Sequence, residues 1–259
     1  MHYALVSGGS KGIGYAIATA LAKRQFNLVL IARDKEALET AKTQLEREHP
    51  VGVEILSLDV SLEHSAETVK NWCTEKKLSL KFLCNATGIG GEEDYLSVGL
   101  ADSMYMFRLN TEPAMSLIFN LLPFLQKNTP AYILNVSSMA GFAPIPIKNI
   151  YSAAKSATIF FSYSLRYQLK KDGISVSCLC PGPVFTKPGI EEATVKQLGW
   201  LGKQMAVHPA EVGEIAVQKT LDGKMIIVPG TLASLMSIVI RLLPKRLLGW
   251  MYHRFGSEK

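Results

Sequence analysis

Short apolar runs alternate with longer stretches whose apolar positions recur at helical spacing. The runs are His2 to Ser7, Asn27 to Ala32, Val53 to Leu58, Phe82 to Cys84, Tyr132 to Ser138, Ile174 to Leu179 and Met225 to Val228. Between them lie helical patterns: YAIATALAKRQF after the first run, Lys35 to Glu48, a segment ending at Lys76, and Ser103 to Gln126. Ser61 or Ser65 is placed to cap the segment ending at Lys76. Strand runs alternating with helices at these intervals predict βαβ units and a parallel sheet covered on both faces. The expected fold class is therefore α/β, a doubly wound parallel sheet of about seven strands.

Ligands of such sheets lie at the carboxyl ends of the strands. The first strand leads into SGGSKGIG, Ser7 to Gly14, and then a helix. Gly8, Gly12 and Gly14 let the backbone approach a pyrophosphate, Ser10, Lys11 and Ile13 complete the loop, and the helix N-terminus offers free N–H groups. Arg33 and Asp34 follow the second strand. An acidic residue there accepts from the ribose 2′-OH of NAD, and an arginine takes the 2′-phosphate of NADP. Arg33 with Lys11 favours NADP; Asp34, one position on, would favour NAD.

The segment Asn135 to Ala157 carries the candidate chemistry. Tyr151 and Lys155, four apart on a helix, share one face. A phenol titrates near pH 10, and a neighbouring ammonium is expected to lower that value, which makes Tyr151 a general acid/base. Ser138, at the end of the preceding strand, can hold a carbonyl oxygen.

Composition is globular, with 48% hydrophobic and 19% charged residues, and shows no linker or repeat. The net charge of +6 is dispersed and forms no nucleic-acid patch, although it suits a polyanionic small molecule or an anionic membrane. Cys73, Cys84, Cys178 and Cys180 match no metal spacing, so no metal site is expected, and Cys178 and Cys180 read as small buried hydrophobes on one face. The N-terminus enters a strand at once, leaving no room for a signal peptide, so a cytoplasmic protein is expected.

These motifs together resemble the short-chain dehydrogenase/reductase family, from the first strand to about Gly230. The resemblance implies a Rossmann-type fold and an NADP-dependent oxidoreductase. It implies a catalytic set of Asn110 in RLNTEP, Ser138 in NVSS, and Tyr151 and Lys155 in YSAAK, with Asn110 anchoring a water that relays protons to Lys155. Asp59 in LDVS would bind the adenine amine and Val60 its ring. Asn85 and Gly88 would support the cofactor, and Pro181, Gly182, Val184 and Thr186 would cover the nicotinamide. The chain departs from the family's Asn-Asn-Ala-Gly, having Asn85-Ala86-Thr87-Gly88. A catalytically silent dinucleotide-binding interaction protein, docking through its C-terminal helix, is the alternative.

The substrate-facing loops are Ile89 to Leu96, Phe142 to Ile150 and Lys187 to His208, and they are mostly apolar. They imply an apolar carbonyl or alcohol substrate: a long-chain ketone, a steroid-like ring or a 3-ketoacyl thioester. His208 reads as a loop or helix-cap residue. The expected domain division is 1–230 for the dinucleotide-binding catalytic domain and 231–259 for a helical extension. Thr231 to Leu243 is an almost uncharged run stopped by Pro244 and followed by basic and aromatic residues. It is too short to span a bilayer. The favoured reading packs it on the domain or on a partner in a homodimer or homotetramer; the alternative is peripheral membrane contact.

Overall fold

In the computed structural model, residues 2–90, 98–185, 204 and 206–256 are described. Seven parallel strands form one sheet in the order β3-β2-β1-β4-β5-β6-β7. They are β1 (Tyr3–Ser7), β2 (Asn27–Ala32), β3 (Val53–Ser57), β4 (Leu80–Asn85), β5 (Ala131–Val136), β6 (Ile174–Leu179) and β7 (Ile226–Ile227). The helices are α1 (Gly12–Lys23), α2 (Lys35–Glu48), α3 (Ser65–Glu75), α4 (Leu100–Gln126), α5 (Asn149–Leu169), α6 (Pro209–Leu221), α7 (Thr231–Leu242) and α8 (Lys245–Gly256). The Rossmann-type doubly wound sheet expected from the pattern is the observed fold.

Strand residues alternate between two cores because successive side chains point to opposite faces. Ala4, Val6, Leu28, Leu30, Phe82 and Cys84 pack under α1, α2 and α6. Leu5, Val29, Ile31, Leu83 and Ile133 pack under α3, α4 and α5. A smaller cluster at the β6–β7 end joins Cys178, Cys180, Phe142 and Ile159 to Ala233 of α7. All four cysteines are buried free thiols, and Cys178 and Cys180 do share a face.

The helix before Lys76 is not capped by either candidate serine. His64, in the left-handed region at φ 61°, is its N-cap residue without a side-chain cap bond. Ser61 is drawn away to Asp59, its hydroxyl donating to Oδ1 at 2.7 Å, and the Ser65 hydroxyl donates to the Val60 carbonyl at 3.0 Å. His208 precedes α6 as its N-cap and accepts from the Ala210 amide.

Because every strand is parallel, their carboxyl ends share one edge. The strand order reverses between β1 and β4, opening a crevice there. Helix α6 is held close to α1 by a missing side chain: a Cβ on Gly213 would lie 2.3 Å from the Ala16 carbonyl oxygen. Gly213→Val is therefore expected to destabilise the protein by about 3 kcal/mol or more. Chemical denaturation followed by circular dichroism checks this; an unchanged midpoint would mean that the two helices separate freely.

Candidate active site and dinucleotide groove

Three rows of residues reach the crevice together because of register. Ser7 pairs with Asn85, and Asn85 pairs with Asn135, at the ends of β1, β4 and β5. The Asn85 amide donates to Asn135 Oδ1 at 2.9 Å, Asn135 donates to Ser162 Oγ at 2.9 Å, and Ser162 donates to the Thr158 carbonyl at 2.7 Å. This buried polar chain ties the two central strands to α5. These bonds offset much of the cost of placing amides in the core, although Asn85 Oδ1 itself has no partner.

The same helix presents Tyr151 and Lys155. Ser137 Oγ donates to the Lys155 carbonyl at 2.7 Å, and Lys155 Nζ donates to the Val136 carbonyl at 3.2 Å. Strand and helix thus grip one another at the lysine from both its backbone and its side chain. The ammonium is 4% exposed, and burial pushes its pKa down to about 8, although the nearby Cys178 and Cys180 thiols oppose that. It sits 5.7 Å from the centre of the Tyr151 ring.

Tyr151 corrects one expectation. Burial pushes its phenol above the ordinary value, and a hydrogen bond with Ser138 pulls the other way without cancelling it. Spacing alone placed an ammonium beside the phenol, but not the loss of water around both groups. In this state Tyr151 is a protonated acid at neutral pH. The Ser138 hydroxyl also accepts from the Ala140 amide at 3.1 Å, which fixes its rotamer beside the phenol.

Asn110 reaches the site from α4. Its amide nitrogen donates to the Ile89 and Met106 carbonyls, both at 2.9 Å, and Thr158 Oγ1 donates to its main-chain carbonyl at 3.3 Å. Its Oδ1 is buried without a hydrogen-bond partner. A Cβ on Gly88 would lie 2.5 Å from that oxygen and 3.3 Å from Lys155 Nζ. Gly88 therefore keeps open the gap that joins Asn110 to Lys155. The structure brings Asn110, Ser138, Tyr151 and Lys155 around a single point at the carboxyl ends of β4 and β5.

The glycine loop forms the other half of the groove. Lys11 is the N-cap of α1 but makes no side-chain cap bond, so the first-turn N–H groups face the loop. Gly14 has no space for a side chain, since its Cβ would lie 2.1 Å from the Gly8 oxygen. Ala86, in place of the family's second asparagine, packs beneath: the Gly8 Cβ position is 3.0 Å from its carbonyl carbon, and the Gly14 one is 3.4 Å from its own Cβ. Gly12, Ser10 and Ile13 complete the loop as expected.

At the adenosine end, Asp34 has two commitments. It accepts from the Ala37 amide at 3.0 Å, capping α2, and pairs with Lys11 at 2.8 Å. The Lys11 hydrogen bond and the cap hold its carboxyl below the ordinary value. Arg33 lies 3.7 Å from Asp59 and 3.5 Å from the Tyr105 hydroxyl. Burial penalises the Asp59 charge, but bonds from Ser61 and the Arg33 guanidinium outweigh that and keep its carboxyl low. A cleft of about 420 Å³ lies beside this end, lined by Ser10, Lys11, Tyr15 and Asp34 among others. Tyr105 had no signal in the sequence, because its approach to Arg33 depends on where the start of α4 lies relative to the loop after β2. Val60 is buried in the second core. Pro181, Gly182 and Val184 follow β6, with Val184 bridged to Val207. Thr186 lies outside the described residues, as do Glu92, Glu93 and Asp94 and the loop positions Ile190, Glu191, Glu192, Leu198, Trp200 and Leu201.

The family model for short chain dehydrogenase matches residues 2–197. The chain belongs to the short chain dehydrogenase family. It is 31% identical over 189 residues to the very-long-chain 3-oxoacyl-CoA reductase of Mus musculus, covering 71% of this chain and 60% of that protein. It is 30% identical over 212 residues to a 3-oxoacyl-[acyl-carrier-protein] reductase of Bos taurus, covering 80% of this chain and 88% of that one. Among solved structures, a short-chain dehydrogenase from Sphingobium yanoikuyae in complex with NADPH superposes with a TM-score of 0.80 at 24% identity, covering 93% of this chain and 92% of that one. These matches make the chain a member of an oxidoreductase family, and the solved structure shares its fold.

The buried ammonium yields a pH-dependent expectation. An ordinary lysine holds its proton to about 10.5, but Lys155 in the folded chain only to about 8. Between these values the unfolded chain binds more protons, so Lys155 makes stability rise with pH; below about 8 both states are charged and its burial cost is constant. Lys155→Met removes that cost. The variant should be the more stable below pH 8, with its advantage shrinking by about 3 kcal/mol as pH climbs towards 10.5. Unfolding midpoints measured across this range check it; a constant difference would return Lys155 to an ordinary lysine.

Proposed function

We propose that the protein is an NADP(H)-dependent carbonyl reductase acting on an apolar ketone, steroid-like or 3-oxoacyl substrate. The observation that carries this reading is the protonated, half-buried Tyr151 held against Ser138, with Lys155 beneath it. The residues present fit a nicotinamide dinucleotide. Bare glycine backbone and unpaired α1 amides suit a pyrophosphate. The unpartnered Asn85 and Asn110 oxygens are acceptors left open in the crevice.

When bound, that cofactor supplies a hydride for the carbonyl carbon. The remaining work falls to the chain. Ser138 donates a hydrogen bond to the substrate oxygen as negative charge grows on it. Tyr151 holds a proton at Oη and gives it to that oxygen. Lys155, whose proton is easily lost, lies on the same helix face as Tyr151 and can return a proton to the phenol through an intervening hydroxyl or water, and the free Asn110 oxygen can anchor a water between Lys155 and solvent. A tyrosine kept protonated is suited to giving a proton, which favours reduction over oxidation.

Arg33 and Lys11 support NADP over NAD. Their carboxylate partners are exposed pairs of little intrinsic strength, which a 2′-phosphate can displace. Asp34, committed to the α2 cap, is a poor acceptor for a ribose hydroxyl. The similarity to 3-oxoacyl reductases, one of which the chain matches over only 60% of its length, supports an acyl substrate class. Phe119, Phe160 and Tyr167, exposed on α4 and α5, suit a second copy of the chain, in keeping with a homodimer or homotetramer.

Tyr151→Phe should retain the fold and NADPH affinity while turnover falls about a hundredfold or more. Cofactor absorbance with a panel of apolar ketones, run with NADPH and NADH, tests it; wild-type turnover by the variant removes Tyr151 from the reaction. NADPH should also bind more tightly than NADH, and Arg33→Ala should narrow that gap about tenfold, the value of one charge-assisted phosphate contact. Equal affinity of the wild type for both cofactors, measured by fluorescence titration, would return the discriminating role to Asp34.

A further inference from the structure

Helix α7 is apolar on two opposite sides. One stripe faces the protein: Ala233 and Ser237 are buried, and Met236 and Ile240 pack with them against Phe142 and Cys180. The other stripe, Leu235, Ile238, Val239 and Leu242, repeats at helical spacing and is 43 to 80% exposed. Helix α8 carries its own exposed apolar stripe at helical spacing, Leu247, Trp250 and Met251, of which the tryptophan is 57% exposed. Single exposed apolar residues are ordinary, but an exposed apolar stripe on each of two successive helices marks a contact with something else.

The charge of this segment identifies that something. From residue 223 to residue 257 the chain contains Lys224, Arg241, Lys245, Arg246 and Arg254 and no aspartate or glutamate. Two of these cations are turned inward: Arg241 lies 5.4 Å over the Phe142 ring, and Lys245 donates to the Phe142 carbonyl at 2.7 Å. Arg246 and Arg254 are exposed. An apolar stripe with a tryptophan, edged by arginines and free of acids, complements an anionic bilayer surface. Among the described residues no helix is long and apolar enough to cross a membrane, so contact would be parallel to the surface.

We propose that the outer face of α7 and α8 docks the protein on anionic phospholipid bilayers. The inner side of α8 adjoins the segment that leads into the site. A Cβ on Gly249 of α8 would lie 3.7 Å from the Pro144 side chain, in the segment that leads into α5 and Tyr151. Docking there holds the segment leading to Tyr151 near the lipid, where an apolar substrate is most concentrated; this last clause rests on the reductase reading, whereas the docking does not.

Sedimentation of the full chain with vesicles tests the docking without any turnover. Vesicles of phosphatidylcholine with a quarter phosphatidylglycerol should bind at least about tenfold more protein than pure phosphatidylcholine, and roughly 0.5 M salt should weaken that binding. The double variant Leu235→Glu, Leu242→Glu, altered only at exposed positions, should keep its melting temperature and lose about tenfold or more of the binding. Absence of binding, equal binding to both vesicle types, or undiminished binding by a folded double variant each overturns the proposal. So does a wild-type dimer that the double variant splits in sedimentation equilibrium, since the face is then an interface between copies. A wild type that binds vesicles but reduces no ketone leaves the docking standing and removes the reductase reading alone.

Discussion

An ammonium group kept out of water is the constraint on which the site depends. Removing the Lys155 charge from solvent is costly, and the fold offsets the cost with a carbonyl at the end of β5 rather than with a carboxylate. A carboxylate partner would hold the proton on the lysine. Among the described residues its hydrogen-bond partner is a carbonyl, which leaves the proton loosely held, the state that the proposed proton relay needs. The neighbouring choices follow from that one: Gly88 without a side chain, Ser137 tying the helix to the strand, and Asn110 with its nitrogen occupied and its oxygen free.

The two halves of the crevice are built differently. The catalytic half is dry and closed by side-chain hydrogen bonds that run through Asn85, Asn135 and Ser162 into the core. The adenosine half is wet, held by exposed ion pairs of Lys11 and Arg33 that a stronger anion can rearrange. Rigid geometry thus surrounds the groups proposed to exchange protons, and adaptable charge surrounds the groups proposed to select the nucleotide.

Much of this was legible in the chain. The limits of β2, α2 and β6 matched the pattern, because mainly apolar runs bounded by polar residues mark the two strands and helical spacing of a few apolar positions marks α2. The residues around Tyr151 were legible because glycine, serine, tyrosine and lysine in that order carry chemistry in their identities. Other features depend on how elements cross. The His64 turn displaced two plausible serine caps, Tyr105 reached Arg33 from a helix distant in sequence, and the Tyr151 phenol rose instead of falling. Spacing reports neighbours along one helix but not the water that other elements remove from them. The outer stripe of α7 shows the same limit: its apolar content was visible, but which side faced the core was not.

The central claim is that Lys155 sits charged in a dry site with a weakened hold on its proton. Isotopic labelling of lysine side chains, with Lys155→Met to assign the signal, allows NMR titration of this group in the cofactor-free protein. The account predicts a midpoint at about 8, more than two pH units below that of an ordinary lysine. A midpoint above about 10, in the range of free lysine, would contradict it.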